Sequence, residues 1–286
     1  LVKAEKIDFY RKKPHKLMKS KKRTKRHMQH RKIRRTRIKK HAKSGKVRVI
    51  RIKDGRIPSG VPNFDCLVEG GFEKSSTNLI VGGAGSGKSI FATQFIMEGI
   101  ELGENCLYVT FEEKKEQFYK NMLEFGWDLS KHERKGRLVF LEYTPEKVKN
   151  MLEEGGGAVE SIIMKKKIKR VVIDSITSFE LLFQDEFAKR EAALSLFNMI
   201  NNWGCTSLLT LEEENSNETK MASRALEFES DSIVLLYYIR KDGERERFLE
   251  ILKMRGTEHS NKLYRFEMTK KGIVVDKKPA RISARI

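Results

Sequence analysis

Cysteine is scarce in this 286-residue chain, with three residues at Cys66, Cys106 and Cys205. Their wide spacing holds no C-x-x-C pair and no Cys/His ligand pattern, so the sequence reads as a reduced, cytoplasmic chain without a disulfide framework. Long apolar runs are missing too. The longest candidate, SIVLLYYI at 232–239, falls short of the ~20 residues a membrane span needs, and no membrane partner is expected. No apolar segment of signal-peptide type follows the basic N-terminus. Only four glutamines (29, 94, 117 and 184) stand among 34% charged residues, a balance that suits a thermophile's surface. The chain opens on Leu1 rather than Met, so the start is either incomplete or unusual, with Met18 and Met28 as alternative starts.

Acidic residues are nearly absent from the first 53 positions. That arm holds 24 Lys+Arg against Glu5 and Asp8, a net +22, which leaves 59 − 24 = 35 basic and 39 − 2 = 37 acidic residues in 54–286, a net −2. The +20 of the whole chain is therefore a property of the arm. Residues 1–53 carry too few large apolar groups to offset their ordering entropy and are expected to be disordered until they meet a partner. The stretch KKRTKRHMQHRKIRRTRIKKH at 21–41 is dense in cations, and Phe9 and Tyr10 are the arm's only aromatic rings. Without a stacking platform for single-stranded bases, Lys, Arg and His are left to contact backbone phosphates. Residues 11–46 are expected to bind nucleic acid, with structured RNA favoured over DNA. A solvated tail is the bland alternative.

The remaining 54–286 is long enough for one α/β domain. TNLIVGG (77–83) is an apolar run ending in glycine, followed by SIFATQFIMEGIEL, whose Phe91, Phe95, Ile96 and Ile100 recur at helical spacing. NCLYVTF, GRLVFLEY, RVVIDSI and CTSLLTLE read as further strands, with helices expected at 113–126, about 145–168 and 185–203. Strands alternating with helices imply a mostly parallel sheet with helices on both faces. After 230, SIVLLYYIR, RFLEILKM, KLYRFEMT and GIVV read as antiparallel strands extending one sheet edge, and VRVIRI at 47–52 reads as a short strand joining arm to body.

Gly82-Gly83-Ala84-Gly85-Ser86-Gly87-Lys88-Ser89 matches G-x-x-x-x-G-K-[ST], between a strand and a helix. Its glycines let backbone N–H groups turn inward around a phosphate, and the following helix adds its positive end. Lys88 is expected to reach the β- and γ-phosphates of ATP, and the Ser89 hydroxyl to ligate Mg²⁺. Asp174, ending RVVID, is the candidate second metal residue, with a turn-forming role as the alternative. Glu112 and Glu113 close LYVTFEE; side chains alternate along a strand, so at most one aims at the γ-phosphate, and Glu112 is the first choice for the base. Glu113 could instead favour the start of the next helix. Thr210 is a candidate polar sensor or a turn residue.

Together, SGVPNFDCLVEGGFEKSSTNLIVGGAGSGKS, FEE, the Asp174 strand, ILKMRGTEHS (251–260) and RFEMTKKGIVV resemble the KaiC-type branch of the RecA-like ATPases over 54–286. The resemblance implies a RecA-like core in a ring, usually a hexamer, with nucleotide between subunits. It makes Lys253 and Arg255 candidate fingers on a neighbour's γ-phosphate, where residue type alone would give solvated strand-end charges. Glu227-Phe228 stand where the family's autophosphorylating domain has a Ser-Thr pair, which argues against an autokinase. The main expectation is an Mg²⁺-dependent ATPase whose arm binds nucleic acid. The alternatives are a nucleotide-switched binding protein with negligible hydrolysis and a DNA-acting recombinase or helicase relative.

Overall fold

The computed structural model describes residues 55–281 except 145, 148–149, 152–156, 178–182, 184, 213–225, 227 and 242. The basic arm and the strand expected at 47–52 lie outside the described residues. Everything described belongs to one compact unit, Ile50–Ile286.

Strand β1 (Arg56–Ile57) pairs antiparallel with β2 (Phe72–Glu73) in a small ribbon. The main sheet has nine strands in the order β11-β10-β9-β8-β3-β7-β6-β4-β5. Its parallel strands are β3 (Thr77–Gly82), β4 (Asn105–Thr110), β5 (Leu138–Glu142), β6 (Ile168–Asp174), β7 (Thr206–Glu212) and β8 (Ser232–Lys241). β9 (Glu244–Met254), β10 (Tyr264–Thr269) and β11 (Gly272–Val275) continue it antiparallel. β8 differs from the sequence expectation, because it pairs in parallel with β3 on one side and antiparallel with β9 on the other. An apolar run buried on both faces reads the same in either direction, so its pattern could not decide this.

Helices α1 (Lys88–Glu101), α2 (Lys115–Leu123), α3 (Leu129–Arg134), α4 (Gly157–Lys166) and α5 (Glu186–Asn202) cover the sheet. Only the later part of the helix expected at 145–168 is described as a continuous element, α4. Side-chain alternation divides the interior into two cores. Ile80, Tyr108, Val172 and Leu208 face Phe91, Phe95 and Ile96 of α1 and Phe118 of α2. Leu79, Leu107, Val171 and Leu209 face Val159 and Ile163 of α4 and Phe197 and Ile200 of α5. Each large side chain fully buried in this way contributes roughly 2 kcal/mol. The sheet thus has two functional rims: a carboxyl edge, where parallel strands end, and an amino edge, where they begin.

The most deeply buried charged group among the described residues is Arg170. Arg170 of β6 is 0% exposed and lies over the Phe95 ring at 4.6 Å. It donates to Glu104 Oε2 (2.6 Å) and to the carbonyls of Pro58 (2.8 Å) and Phe95 (2.9 Å). This ties the segment after β1 to α1 and to the loop before β4. Gly99 makes room for it: a Cβ there would stand 2.6 Å from Arg170 Cδ. Arg170→Met should lower unfolding stability by about 3 kcal/mol in urea, because it strands a carboxylate and two carbonyls. Gly99→Ala should cost about 1–3 kcal/mol by overpacking. Parental stability in both variants would refute the role assigned to this residue.

Candidate functional site

The glycine-rich loop leaves β3 at Gly82 and enters α1 at Lys88. Gly85 and Gly87 hold φ of 72° and 106°, in the left-handed region that a side chain resists. Space demands glycine as well: a Cβ on Gly87 would stand 3.0 Å from Met268 Cε of β10, and one on Gly82 would stand 2.3 Å from the Leu236 carbonyl of β8. The loop's position is set from outside too. Arg247 of β9 lies over the Tyr238 ring at 4.0 Å and donates through Nε and Nη2 to the Gly85 carbonyl at 3.2 and 3.1 Å.

Lys88 is buried at the start of α1. Its Nζ donates to the carbonyls of Gly82 (2.8 Å) and Gly83 (3.1 Å) and stands 3.6 Å from Glu212 Oε2. Glu212 was not singled out from the sequence. It ends β7, and only the parallel register that sets Gly82 beside Glu212 brings it to the loop. Ser89 follows in the first turn of α1, its carbonyl accepting from Thr93 Oγ1.

Asp174 ends β6 at 9% exposure, and its carboxylate accepts two hydroxyls. Tyr108 of β4 donates to Oδ2 at 2.6 Å and Thr210 of β7 donates to Oδ1. The three side chains share one sheet face on adjacent strands, so the register makes the cluster. Thr210 is therefore a strand residue, not a turn residue, fully buried and holding Asp174. Burial and the neighbouring Asp174 charge raise the Tyr108 pKa well above 10, which keeps its hydroxyl protonated as a donor. Tyr108 escaped the sequence reading because an aromatic residue in an apolar strand looks like core.

The two glutamates after β4 separate. Glu112 is exposed, and its Oε1 accepts from Ser175 Oγ at 2.5 Å. Ser175 directly follows Asp174, so this bond joins the candidate base to the candidate metal residue. Glu113 is half-buried, and its Oε1 accepts from Asn121 Nδ2 of α2 at 2.6 Å. Burial, then the charge on Asp174, raises its carboxyl above the usual 4.5, while the Asn121 amide opposes this.

Lys253 and Arg255 lie on the amino edge, away from this group. Lys253 pairs with Ile233 near the start of β8, and Arg255 N–H donates to Asp231 O. Both side chains donate to the Phe228 carbonyl, at 3.3 and 2.6 Å, and Arg255 stands 3.6 Å from Asp231. Asp231 in turn accepts from the Thr77 N–H at the start of β3. From Thr77 to Gly82 the strand runs roughly 16 Å, at about 3.3 Å per residue, so neither cation serves the loop of its own chain.

The family model described as ATPase: KaiC matches residues 57–280. The circadian clock protein KaiC3 of Synechocystis is 35% identical over 228 residues, covering 77% of this chain and 45% of that protein. The chain thus spans less than half the length of that relative. A UPF0273 protein of Thermotoga maritima is 34% identical over 233 residues, covering 77% of this chain and 95% of its own. Among solved structures, a KaiC-like protein of Pyrococcus horikoshii matches with a TM-score of 0.69 and 37% identity, over 77% of this chain and 98% of that one.

Glu113 gives a test of the site's electrostatics. A carboxyl whose folded pKa is raised adds stability that is fully present below its unfolded value and is lost as pH rises through the folded one. Glu113→Gln keeps the acceptor for Asn121 and stays neutral. Unfolding midpoints of variant and parent should agree below about pH 4 and diverge above it, with the variant more stable at pH 7. A variant less stable than the parent at pH 7 would contradict the like-charge contact with Asp174.

Proposed function

The chain belongs to the KaiC family of ATPases, and on that premise we propose that it hydrolyses ATP with Mg²⁺ in a ring of like subunits and that its basic arm holds it on structured RNA. What supports the hydrolytic reading is the meeting of Lys88, Asp174 and, through Ser175, Glu112 at one carboxyl edge. Open α/β sheets bind ligands there.

Each chain residue then has a part. The loop's N–H groups and the end of α1 receive the phosphates, and Lys88 exchanges two neutral carbonyls and Glu212 for phosphate oxygens. Ser89 and Asp174 offer hard oxygen donors suited to Mg²⁺. Each Asp174 oxygen spends one acceptor position on a hydroxyl, which leaves a second for the ion or its water. The ion, when bound, neutralises charge on the β- and γ-phosphates. Glu112 takes the proton of the attacking water as its oxygen bonds to the γ-phosphorus and ADP leaves. Arg255 sits at the amino edge, and the roughly 16 Å length of β3 separates that edge from the loop, which is what a finger acting on a neighbour requires.

Lys88→Ala should abolish nucleotide binding, and Glu112→Gln should retain binding and lose turnover. Ser175→Ala should reduce turnover by about tenfold or more with KM little changed, since it removes the bond that holds Glu112 beside Asp174. Arg255→Ala should slow turnover by about 10³ while ATP still binds. Parental turnover by Glu112→Gln would end the hydrolytic reading, and full activity in a dilute monomer would end the ring reading.

The RNA reading is supported by the arm's +22 against a body of −2. If the arm neutralises six to ten phosphates, affinity for an RNA duplex should fall by roughly 10³–10⁵ between 50 and 200 mM salt. A version lacking 1–53 should lose most of that binding. Equal affinity with and without the arm would refute this part.

A further inference from the structure

The amino edge of the sheet gathers cations that the sequence scatters. Arg134, Lys135 and Arg137 lie between α3 and the start of β5, and all are exposed. Lys165, Lys166, Lys167 and Lys169 lie at the end of α4 and the start of β6, and these are exposed as well. β4 runs between β5 and β6, and its first residue joins the two groups. Asn105 Nδ2 donates to the Lys166 carbonyl at 2.6 Å, while Arg137 Nη1 donates to Asn105 Oδ1 at 3.0 Å and to the Gly103 carbonyl at 2.8 Å. Seven cations thus stand along a rim two strand spacings wide, roughly 10 Å.

Little nearby acid answers them. Glu104 is taken by Arg170, and Glu133 by Lys115 and Tyr119. Glu101 of α1 and Glu160 of α4 are exposed acids nearby, as are Glu116 of α2 and Glu124 at its C-terminal end. Half-buried His132 registers the field: burial first, then Lys135, lowers its pKa, Lys131 adds to this, and Asp128 and Glu101 oppose it. Since 54–286 carries a net −2, removing these seven leaves −9 on the rest of the body.

Gly55, the first described residue, lies at this same edge. Gly55 accepts through its carbonyl from Lys74 N–H, and Ser75 bonds to Gly204 and Thr206 at the start of β7. β7 is next to β6, with Thr206 beside Arg170. The rim therefore runs from Gly55 across β7, β6, β4 and β5. Arg255 follows the end of β9, four strand spacings from β6, roughly 19 Å along the same edge.

We propose that the amino edge of β5, β4 and β6 is a second phosphate-binding surface, which seats the backbone of the nucleic acid held by the arm. A row of exposed Lys and Arg on a flat rim, with no aromatic platform among them, suits a duplex backbone. The choice of occupant rests on the reading of the arm as a nucleic-acid binder, and the test separates the two.

The test uses the full chain and an RNA duplex of fixed length, titrated with salt by anisotropy, with a DNA duplex and a polyglutamate peptide in parallel. Lys165→Gln, Lys166→Gln and Lys169→Gln are combined in one variant. A control carries Lys262→Gln, Lys277→Gln and Lys278→Gln, the same charge change at the β10–β11 end of the sheet. Three lost phosphate contacts should lower the slope of log K against log salt by about 2–3, so that the affinity loss between 50 and 200 mM shrinks about thirtyfold. The control should match the parent, and all three proteins should share one unfolding midpoint. No RNA binding by the parent refutes the arm reading. Binding with an unchanged slope in the rim variant, or an equal change in the control, refutes the rim alone. A loss confined to polyglutamate assigns the rim to an acidic protein and overturns the proposal; a DNA slope matching the RNA slope supports a backbone surface that ignores sugar type.

Discussion

A carboxylate enclosed at 9% exposure cannot stay charged in a sheet interior unless the fold supplies donors, and Asp174 receives them from strands on both sides. This requirement organises the carboxyl edge. Tyr108 and Thr210 belong to β4 and β7, so satisfying one acid fixes the relative register of three strands. The Phe111 N–H also bonds to the Asp174 carbonyl, which starts the turn carrying Glu112 and Glu113. Ser175 then captures the first glutamate and Asn121 the second. Two adjacent residues of one type thus acquire different environments, one exposed and bonded beside the metal candidate, the other half-buried and repelled by it.

The same parallel arrangement polarises the domain. Every parallel strand ends at the loop side and begins at the Arg255 side, so a group placed by a strand start cannot reach a ligand placed by a strand end. The β8–β9 hairpin joins the two rims: its β9 strand carries Arg247 against Gly85 at one end and leads into Arg255 at the other. A shift of this hairpin would act on the phosphate loop and on a finger for a neighbour at once. In the proposed ring, that would be the mechanical link by which each subunit completes the next.

Legibility in the sequence follows the range of the interaction. Gly82–Ser89 could be read because a phosphate loop is a local device, with glycines, lysine and hydroxyl at fixed spacing. The order of strands and helices could be read because periodicity is local too. The antiparallel pairing of β8 with β9 could be read from the sequence, but its parallel pairing with β3 could not, since that is set by a partner 154 residues away in the chain, through Asn78 beside Ser232. Tyr108, Ser175, Thr210 and Glu212 took their roles from cross-strand register, and no spacing rule reports that. The rim cations were invisible for the same reason: 134–137 and 165–169 are ordinary polar turns until β4 draws them together through Asn105.

Why a nearly neutral body should carry so cationic an arm follows from where charge is placed. A nucleotide is itself a polyanion, so a nucleic acid bound beside the phosphate loop would compete for Lys88 and the loop's N–H groups. The carboxyl edge avoids that contest with acid: Glu212 stands 3.6 Å from Lys88 Nζ, and Glu112, Glu113 and Asp174 lie on the same edge, where they repel a phosphate backbone not presented in the loop's own geometry. The cations stand on the opposite rim, where Gly55 lies. Distance along β3 and the Debye length, about 8 Å at physiological salt, together screen one site from the other. Communication between them would then pass through the strands and the hairpin rather than through the field, so this distribution of charge favours a mechanical coupling between the proposed ATP turnover and the nucleic acid proposed for the arm.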